Sequence, residues 1–538
     1  MVSKALPKTN FDCVVLGAGC AGLATAYALL KAGYTVCVVE RSDRVGGLAG
    51  GIEIGGNTYE FGPHIFHTTD PEILSDVKEI AGHVLLPFER TIQIKFLGRY
   101  FSYPLTLTDL LKNLPITTMV HAGTSLAINL VGGWLRDRIL GRKPLTNSEQ
   151  VLKRYYGGVL YKLFFEDYIY KVWGIHPRGL AASFAETRIP RFDFLAILEK
   201  LKKLLRVGQG TITDPTKYVE KVEGEFYTTR KGFSLICESY ADRVRALGGV
   251  ILLRTQFQRL NHEGHRATSV EVASAGSPIG SPTRSVAGST AGSPTNSPAA
   301  SITGSLTESA AESPTERNGE TLTLQTKSVV STIPITTLVS GLFPAAPSTV
   351  QTTAESLRFR GICFVGILVR KPHVLPASFM YFRDKSFNRL TDLAHFKVET
   401  SHPGSTLLVA EVTCQPTDEA WTNTEATIAL TISEIEAEGL IKRGDVIEAH
   451  TYTAEHAYPI YTVGYEAALA TATAYVRQLD NVWTAGRQGQ FAYVNTHVAL
   501  KMGYDAAREL QKTVRPTQAA LLSGGRYTEN LRDSPGQV

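Results

Sequence analysis

The chain has 538 residues, of which 43% are hydrophobic and 20% are charged. This composition is typical of a globular protein of two or three domains, and it excludes a fibrous or wholly disordered chain. Lysine and arginine together number 55, and aspartate and glutamate number 50. Because this small excess is spread along the chain, we expect no nucleic acid partner.

The first ten residues lack the apolar stretch of a secretory signal. The six cysteines form no CxxC pair and show no spacing typical of a metal site. We therefore expect reduced thiols and no metal centre, which favours a cytoplasmic location.

The N-terminal segment has the pattern of a nucleotide-binding unit. It predicts a buried strand, a helix and a second strand, in that order, over residues 12–17, 21–31 and 34–40. Three glycines in the spacing GxGxxG connect the first strand to the helix. Gly17 permits a tight turn, Gly19 lets the backbone approach a pyrophosphate, and Gly22 allows close helix packing. The helix N-terminus offers free N–H groups to phosphates, and Glu40 ends the second strand where it can hold ribose hydroxyls.

The next residues extend this motif to E-x-x-x-R-x-G-G, through Arg41, Arg44 and the pair Gly46-Gly47. The extension resembles that of FAD-binding flavoproteins of the amine-oxidase type. In that family the arginine and the glycine pair lie along the pyrophosphate and the flavin. The resemblance therefore implies FAD as the cofactor, held by these residues together with the three fingerprint glycines and Glu40.

A second cluster, at residues 59–68, contains His64 and His67 among glycine and aromatic residues. Two histidines three residues apart could bind a metal, but no cysteine or carboxylate set accompanies them, which favours packed histidines. Residues 62–68, Gly-Pro-His-Ile-Phe-His-Thr, closely resemble a motif of bacterial UDP-galactopyranose mutases that lines the flavin. The resemblance places Gly62 and His64 beside the cofactor.

Residues 113–135 carry no charged side chain but include proline, histidine, asparagine and two adjacent glycines. This composition is too polar for a membrane-spanning segment. We expect a helix packed in a second domain, with contact to a membrane surface as the alternative.

Residues 274–320 consist almost wholly of Ser, Thr, Ala, Gly, Pro and Glu. Such a segment cannot bury enough apolar surface to offset the entropy of ordering, so it predicts a disordered insertion. Strand-like alternation precedes it at 270–272 and follows it from 321, so we expect these segments to pair as a hairpin. The polar residues 513–538 predict a flexible tail.

Further motifs match the mutases in the same order along the chain. They are the segment 160–174, the run Arg188-Ile-Pro-Arg191, the pairs Asn388-Arg389 and Tyr458-Pro459, and residues 486–497. The resemblance implies substrate contacts by Tyr168, Trp173, Arg191 and Asn495. It implies roles in catalysis for Arg389, Arg487, Tyr458, Tyr493, His64 and His67, and cofactor contacts by Gly486 and Arg487.

One departure leaves the reaction open. Mutases typically carry Tyr-Tyr-Asp-Met where this chain has Tyr493-Val-Asn495-Thr. One hypothesis is a mutase-like enzyme that acts on a nucleotide sugar through flavin N5. A second is an FAD-dependent oxidase or desaturase of the amine-oxidase or protoporphyrinogen-oxidase type, and a third is a non-catalytic flavoprotein. The partners implied are a small-molecule substrate and an external reductant or oxygen.

The resemblance also implies an architecture. We expect an α/β fold with a doubly wound, Rossmann-like FAD-binding domain and a mixed α+β substrate domain. The FAD-binding domain is expected to combine residues 10–85, 220–273, 321–345 and 475–512. The substrate domain is expected to combine residues 86–219 and 346–474.

Overall fold

The computed structural model describes residues 9–103, 105, 107–141, 144–189, 225–275, 283–285 and 321–517. The strands are β1 Asn10–Phe11, β2 Cys13–Leu16, β3 Val36–Val39, β4 Gly51–Ile54, β5 Asn57–Glu60, β6 Leu86–Phe88, β7 Ile92–Phe96, β8 Arg99–Ser102, β9 Phe226–Thr228, β10 Val250–Leu252, β11 Thr255–Glu263, β12 Arg266–Ser274, β13 Thr283–Ser285, β14 Thr321–Thr326, β15 Val329–Ser331, β16 Leu342–Phe343, β17 Phe359–Val369, β18 Phe379–Phe382, β19 Arg389–Asp392, β20 Thr406–Cys414, β21 Val446–Pro459 and β22 Val482–Thr484.

The helices in the described ranges are α1 Cys20–Lys31, α2 Pro71–Ala81, α3 Leu107–Asn113, α4 Ile116–Leu140, α5 Ser148–Leu160, α6 Asp167–Trp173, α7 Ala182–Arg188, α8 Ser234–Ala246, α9 Ile335–Ser340, α10 Ser348–Glu355, α11 Glu419–Thr422, α12 Thr424–Ala437, α13 Tyr465–Val476, α14 Gly486–Gly489 and α15 Thr496–Thr513. A π-helical turn, Tyr161–Glu166, joins α5 to α6. None of the described helices combines the length and apolar content that crossing a bilayer requires.

A five-stranded parallel sheet forms the centre of the nucleotide-binding part, in the order β10-β3-β2-β15-β22. Alternate residues of β2 enter opposite cores, with Val15 packing beneath α1 and α15 and Val14 packing on the other side. A parallel strand covered on both faces is apolar at every position, which explains the run Cys-Val-Val-Leu. The predicted doubly wound α/β fold is thus confirmed.

An eight-stranded mixed sheet lies beside it, in the order β13-β21-β17-β20-β19-β18-β7-β8. Its long central strands β17 and β20 are buried along almost their whole length. Strand β18 pairs in parallel with β7, so the two segments predicted for the substrate domain share one sheet. Helices α3 to α7 pack a separate apolar core against its end. The division into two domains stays a prediction.

The hairpin predicted around the insertion is present. Strand β12 pairs antiparallel with β14, and Val270 lies opposite Leu324. Most of residues 274–320 lies outside the described residues. Within it, however, Thr283–Ser285 forms β13 and pairs with β21, so the expectation of disorder is wrong for these three residues. A neighbouring strand with free N–H and C=O groups supplies the order that local sequence cannot.

The expectation of a flexible tail from residue 513 is wrong for residues 513–517. The Thr517 hydroxyl donates to Asp12 Oδ1 at 2.6 Å, and Tyr34 donates to the Val514 carbonyl oxygen at 2.6 Å. Residues 513–517 are therefore held on the parallel sheet, because Asp12 directly precedes β2 and Tyr34 lies just before β3. Residues 518–538 lie outside the described residues.

Glu60, at the end of β5, is fully buried where the loop before α8 closes on β5. Its Oε1 atom accepts the Phe233 N–H at 2.6 Å, and its Oε2 atom has no hydrogen-bond partner among the described residues. Burial raises the pKa of Glu60 to about 8. Protonation of Glu60 therefore stabilises the fold fully below the pKa of an unfolded-chain carboxyl, and this contribution is lost progressively as pH rises to the folded pKa.

We predict that this group makes the protein less stable in alkali. As pH rises through the folded pKa of Glu60, the wild type should lose about 1–3 kcal/mol of unfolding free energy between about pH 6 and about pH 9. The variant Glu60→Gln keeps the acceptor for Phe233 and cannot ionise, so its loss should be smaller. Urea unfolding of both proteins at the two pH values measures the difference, and equal pH dependence would contradict the prediction.

Candidate active site

The loop between β2 and α1 has the geometry that the glycine spacing predicts. Gly17 has a φ of 97°, and a β-carbon there would lie 2.5 Å from Thr332 Oγ1. A β-carbon on Gly22 would lie 1.9 Å from the Gly17 carbonyl oxygen, so only glycine lets α1 pack this closely. Glu40, which follows β3, accepts the Ala18 N–H at 2.8 Å. Glu40 thus fixes the loop, and its contact with a ribose stays a prediction.

The N-terminus of α1 opens onto a surface made of Gly19, Gly46 and Gly47. Gly19 and Gly46 form an isolated β-bridge, and the atom nearest to a β-carbon on Gly19 would be the Gly46 carbonyl oxygen at 3.9 Å. No described side chain caps α1, and its first turn contains no acid. Free N–H groups beside open space bind phosphates. The residues present therefore fit the pyrophosphate of a dinucleotide.

The other predicted cofactor residues border this surface less directly. Arg41 is exposed, and Arg44 donates to Asp43 Oδ1 at 2.9 Å. A β-carbon on Gly486 would lie 2.9 Å from the Ala21 β-carbon, so the C-terminal segment returns to α1 as predicted. This return brings the residue after Gly486, an arginine, towards the cleft between the two sheets.

Three aromatic side chains from separate motifs meet in that cleft and form what we call the aromatic wall: Trp173, Tyr458 and Tyr493. The ring centroids of the two tyrosines lie 5.0 Å apart, and Trp173 lies 5.4 Å from Tyr458 and 5.9 Å from Tyr493. Burial raises the pKa of Tyr458, yet its side chain keeps accessible surface. A deeply placed side chain that remains accessible lines an internal cleft.

Two arginines lie against the aromatic wall. The guanidinium carbon of Arg188 is 3.8 Å from the Tyr493 ring centroid, and that of Arg487 is 4.2 Å away. The Nε atoms of both, and Nη2 of Arg487, are buried without a hydrogen-bond partner among the described residues. Burial, with a contribution from the charge of Arg188, lowers the pKa of Arg487. Two cations on one ring are costly to hold together, so the arrangement indicates an anion site.

Arg389 is in a different electrostatic state. Its Nε and Nη2 atoms donate to the two oxygens of Glu411, at 2.7 and 2.8 Å, and Glu411 is almost fully buried. Such a bidentate pair compensates the charge of Arg389. A β-carbon on Gly62 would lie 2.9 Å from Glu411 Oε1, so the Gly62 loop covers the pair. Arg389 therefore has less charge to offer an anion than Arg188 and Arg487.

His64 lies between these arginines. Burial, together with the charges of Arg389 and Arg487, lowers the pKa of His64 to about 3. His64 is therefore neutral at neutral pH. Its Nδ1 atom lies 3.1 Å from the Gly62 carbonyl oxygen. This contact requires a proton on Nδ1, which leaves Nε2 as a hydrogen-bond acceptor.

His67 has a separate environment. Its ring centroid lies 4.6 Å from that of His497 and 5.1 Å from that of Phe226. The side chain is buried among these rings. Packing therefore accounts for its position, and its predicted role in catalysis stays a prediction.

Helix α6 carries both Tyr168 and Lys171 towards the segment of Arg389. The Tyr168 ring centroid is 6.2 Å from that of Tyr381, whose ring lies 5.9 Å from the Arg389 guanidinium carbon. The Lys171 ammonium donates at 2.8 Å to each of three carbonyl oxygens, those of residues 382, 385 and 387. Lys171 thereby ties α6 to the loop that precedes Arg389.

Two predicted substrate residues are not brought to the aromatic wall by any described contact. Arg191 lies outside the described residues, and Arg188, three positions earlier in the same motif, occupies the wall. Asn495 is exposed and precedes the first turn of α15. The sequence reading also missed Glu411 and Tyr381. The pairing of β19 with β20 is the one signal that could have identified Glu411, because this register places it directly opposite Arg389.

One group of potential metal ligands occurs among the described residues, namely His373, Asp392 and His395. The Asp392 oxygens accept backbone N–H groups of residues 374, 375 and 394 and the Thr406 hydroxyl. His395 Nε2 lies 2.8 Å from the Leu375 carbonyl oxygen. These contacts give the carboxylate a structural role in closing a loop.

Residues 20–278 match the model of the family described as flavin containing amine oxidoreductase. The resemblance to the amine-oxidase superfamily is thereby confirmed. A probable UDP-galactopyranose mutase from Klebsiella pneumoniae is 28% identical over 34% of this chain and 47% of its own length. A phytoene dehydrogenase from Streptomyces griseus is 48% identical over 13% of each chain. The chain spans about half the length of the curated mutase that it matches.

The similarity in fold extends over nearly the whole chain. The crystal structure of a reduced UDP-galactopyranose mutase superposes with a TM-score of 0.68, covering 98% of each chain at 18% sequence identity. At this identity the superposition establishes the fold. The sequence match to the Klebsiella mutase is independent of it, and together they confirm the resemblance to UDP-galactopyranose mutases.

We predict that the Arg389–Glu411 pair contributes strongly to stability. Glu411→Gln leaves the Arg389 cation without its counter-ion and should lower the free energy of unfolding by roughly 2–4 kcal/mol. The exposed pair of Arg230 and Glu399 provides the control, and Glu399→Gln should cost less than about 1 kcal/mol. Urea unfolding at neutral pH measures both. Equal losses in the two variants would contradict the prediction.

Proposed function

We propose that this protein is an FAD-dependent enzyme that acts on a nucleotide sugar, as a mutase does. The observation that carries the proposal is the pair Arg188 and Arg487, whose guanidinium groups lie on the aromatic wall with buried nitrogens unpartnered among the described residues. A diphosphate fits this pair because each guanidinium can offer two N–H groups to two oxygens. The glycine surface at α1 supports a dinucleotide cofactor, because a dinucleotide needs a pyrophosphate site, and the match to a flavin-containing family favours FAD among the dinucleotides.

The same arginines disfavour the alternative of an amine oxidase. An amine substrate is a cation at neutral pH, and two uncompensated guanidinium groups would repel it. An apolar polyene, the kind of substrate a desaturase accepts, would leave the buried arginine nitrogens unsatisfied, which costs free energy. The described charges therefore favour an anionic substrate.

Each residue then has a defined role in the proposed reaction. Arg188 and Arg487 bind the diphosphate and stabilise its negative charge as it departs from the sugar. The aromatic wall supplies flat apolar surface that excludes water from the cleft. Neutral His64 presents Nε2 as an acceptor and adds no charge beside the arginines. Reduced FAD, when bound, supplies the nucleophile for exchange at the anomeric carbon.

The proposal also includes the reaction partners and the cellular compartment. The substrate is a small molecule, and an external reductant keeps the flavin reduced. The six cysteines are free thiols, all of them buried, which supports a reducing compartment, and we propose the cytoplasm.

The proposed cofactor site is tested by Gly19→Val. The side chain would project into the open space before α1 and block a pyrophosphate, while no described atom lies within 3.9 Å of its β-carbon. We expect the purified variant to lose its flavin absorbance and to keep its circular dichroism spectrum. Gly132→Val, on the exposed surface of α4 with nothing within 4 Å, is the control and should retain the flavin. Flavin retained in Gly19→Val would contradict the proposed site.

The proposed reaction is tested with the reduced protein. Dithionite-treated wild type, incubated with UDP-galactopyranose without oxygen, should give a furanose product on chromatography. Arg487→Gln should lower kcat/KM by about 10- to 100-fold, because a charge-assisted hydrogen bond to the diphosphate is lost. Arg508→Gln, which removes a surface guanidinium that pairs with Glu72, should change it less than about twofold.

Four other outcomes contradict the proposal in different ways. No furanose with bound flavin would exclude this substrate, and flavin reduction by an amine or a polyene would establish the oxidase or desaturase alternative. No turnover with any of these compounds would favour a non-catalytic flavoprotein. Equal activity of Arg487→Gln and wild type would show that Arg487 does not bind the diphosphate.

A further inference from the structure

Helix α4 presents a broad apolar surface to solvent. Seven large aliphatic side chains on it are exposed, one of them Leu130, and we call the other six the α4 face: Ile116, Val120, Ile128, Val131, Leu135 and Ile139. The exposed fractions range from 45% for Leu135 to 80% for Ile116. An isolated exposed aliphatic residue is ordinary, but six along one helix of 25 residues are not.

The opposite side of α4 is firmly packed, so the face is held outward. Ala122 and Leu126 are both buried, and Ala122 belongs to the core that α4 shares with α5. A β-carbon on Gly157 of α5 would lie 2.9 Å from the Leu126 backbone nitrogen, which shows how closely the two helices approach. The Gly158 N–H also donates to the Ser125 hydroxyl at 2.9 Å. These contacts fix the rotation of α4.

The apolar surface continues beyond the N-terminus of α4. Leu111 of α3 is 60% exposed, and Leu97, at the tip of the β7–β8 hairpin, is 61% exposed. The Asn113 side chain donates to the Tyr100 carbonyl oxygen at 3.1 Å and so holds this hairpin beside the start of α4. Tyr100 is itself partly exposed. Tyrosine with an apolar ring and a polar hydroxyl is the type of residue found at the boundary between lipid and water.

The charges around the face are basic. Residues 113–135 contain no charged side chain, and Lys112 precedes them. In the sequence, residues 136–140 at the C-terminal end of α4, which we call the basic segment, contain Arg136 and Arg138 against one acid. A helix that is apolar over most of its length and ends in a net positive segment is complementary to a bilayer with anionic headgroups.

A second copy of the chain fits the same surface less well. Two parallel α4 helices would bring their basic segments together, which is repulsive. An antiparallel pair would place each basic segment beside the α3 end of its partner, where Asp109 and Lys112 balance each other. Neither arrangement supplies the negative charge that the basic segments attract.

We propose that the α4 face docks on the surface of an anionic membrane, with α4 lying in the plane of the interface. The aliphatic side chains would enter the region between headgroups and acyl chains, and the flanking cations would contact the headgroups. This placement agrees with the absence of a spanning helix among the described residues. It is independent of the proposed reaction.

Vesicle flotation of the full chain tests the proposal. Wild type should float with phosphatidylcholine vesicles that contain phosphatidylserine, and high salt or the omission of phosphatidylserine should weaken binding. The double variant Ile128→Glu/Val131→Glu places charges on the face and should reduce the bound fraction at least about tenfold. Leu430→Glu/Val463→Glu, at two similarly exposed aliphatic positions elsewhere, should bind as wild type does.

Near-ultraviolet circular dichroism should be unchanged in both double variants, because all four positions are exposed. Light scattering without vesicles tests whether a second copy of the chain covers the α4 face instead of a membrane. A wild-type dimer that Ile128→Glu/Val131→Glu converts to a monomer, without vesicle binding by either, would overturn the proposal in favour of a second copy. Flotation of that variant equal to wild type would also overturn it.

Discussion

The parallel order of the five central strands is the constraint on which the site depends. Parallel strands bring their carboxyl ends to one edge, so segments distant in sequence converge there. Gly17 follows β2, Glu40 follows β3, Thr332 follows β15 and Gly486 follows β22. Their proximity is direct, because β-carbons on Gly17 and Gly486 would both contact Thr332. Arg487 reaches the cleft because its strand ends at this same edge.

The three arginines of the cleft differ in whether a counter-ion compensates their charge. Arg389 is neutralised by a buried carboxylate on the neighbouring strand. Arg188 and Arg487 lie on aromatic rings, which attract a cation much more weakly than a carboxylate does. The protein thus holds one arginine as a structural ion and keeps two available. Their mutual repulsion is a cost that a bound dianion would relieve.

The features that could be predicted from the sequence are those whose causes lie close together in the chain. The nucleotide loop was predictable because the positive φ of Gly17 and the close contact of Gly22 with Gly17 both arise within six residues. The strand pairing around the insertion was predictable because alternation is visible on both sides. The strand β13 was not, because its order depends on a partner, β21, more than 150 residues away in the chain.

The arginines of the cleft illustrate the same limit. Arg188 and Arg191 belong to one short motif, and the end of α7 decides that Arg188 meets Tyr493. Glu411 lies opposite Arg389 only in one register of β19 and β20, since a shift of one residue would turn it to the other face. Motif resemblance identifies residue types, whereas helix ends and strand register determine which of them meet.

The three hydrogen bonds of Lys171 have a consequence for the size of the ligand. They attach the helix that ends at Trp173 to the loop that leads into Arg389. The hydrogen bonds therefore fix the distance between the aromatic wall and Arg389. The segment of Arg487 is held as well, because the Gln488 side chain donates to the His456 carbonyl oxygen at 2.9 Å and the Tyr493 N–H donates to the Tyr461 hydroxyl at 2.8 Å. A cleft whose borders are all tied down in this way discriminates between ligands by their length.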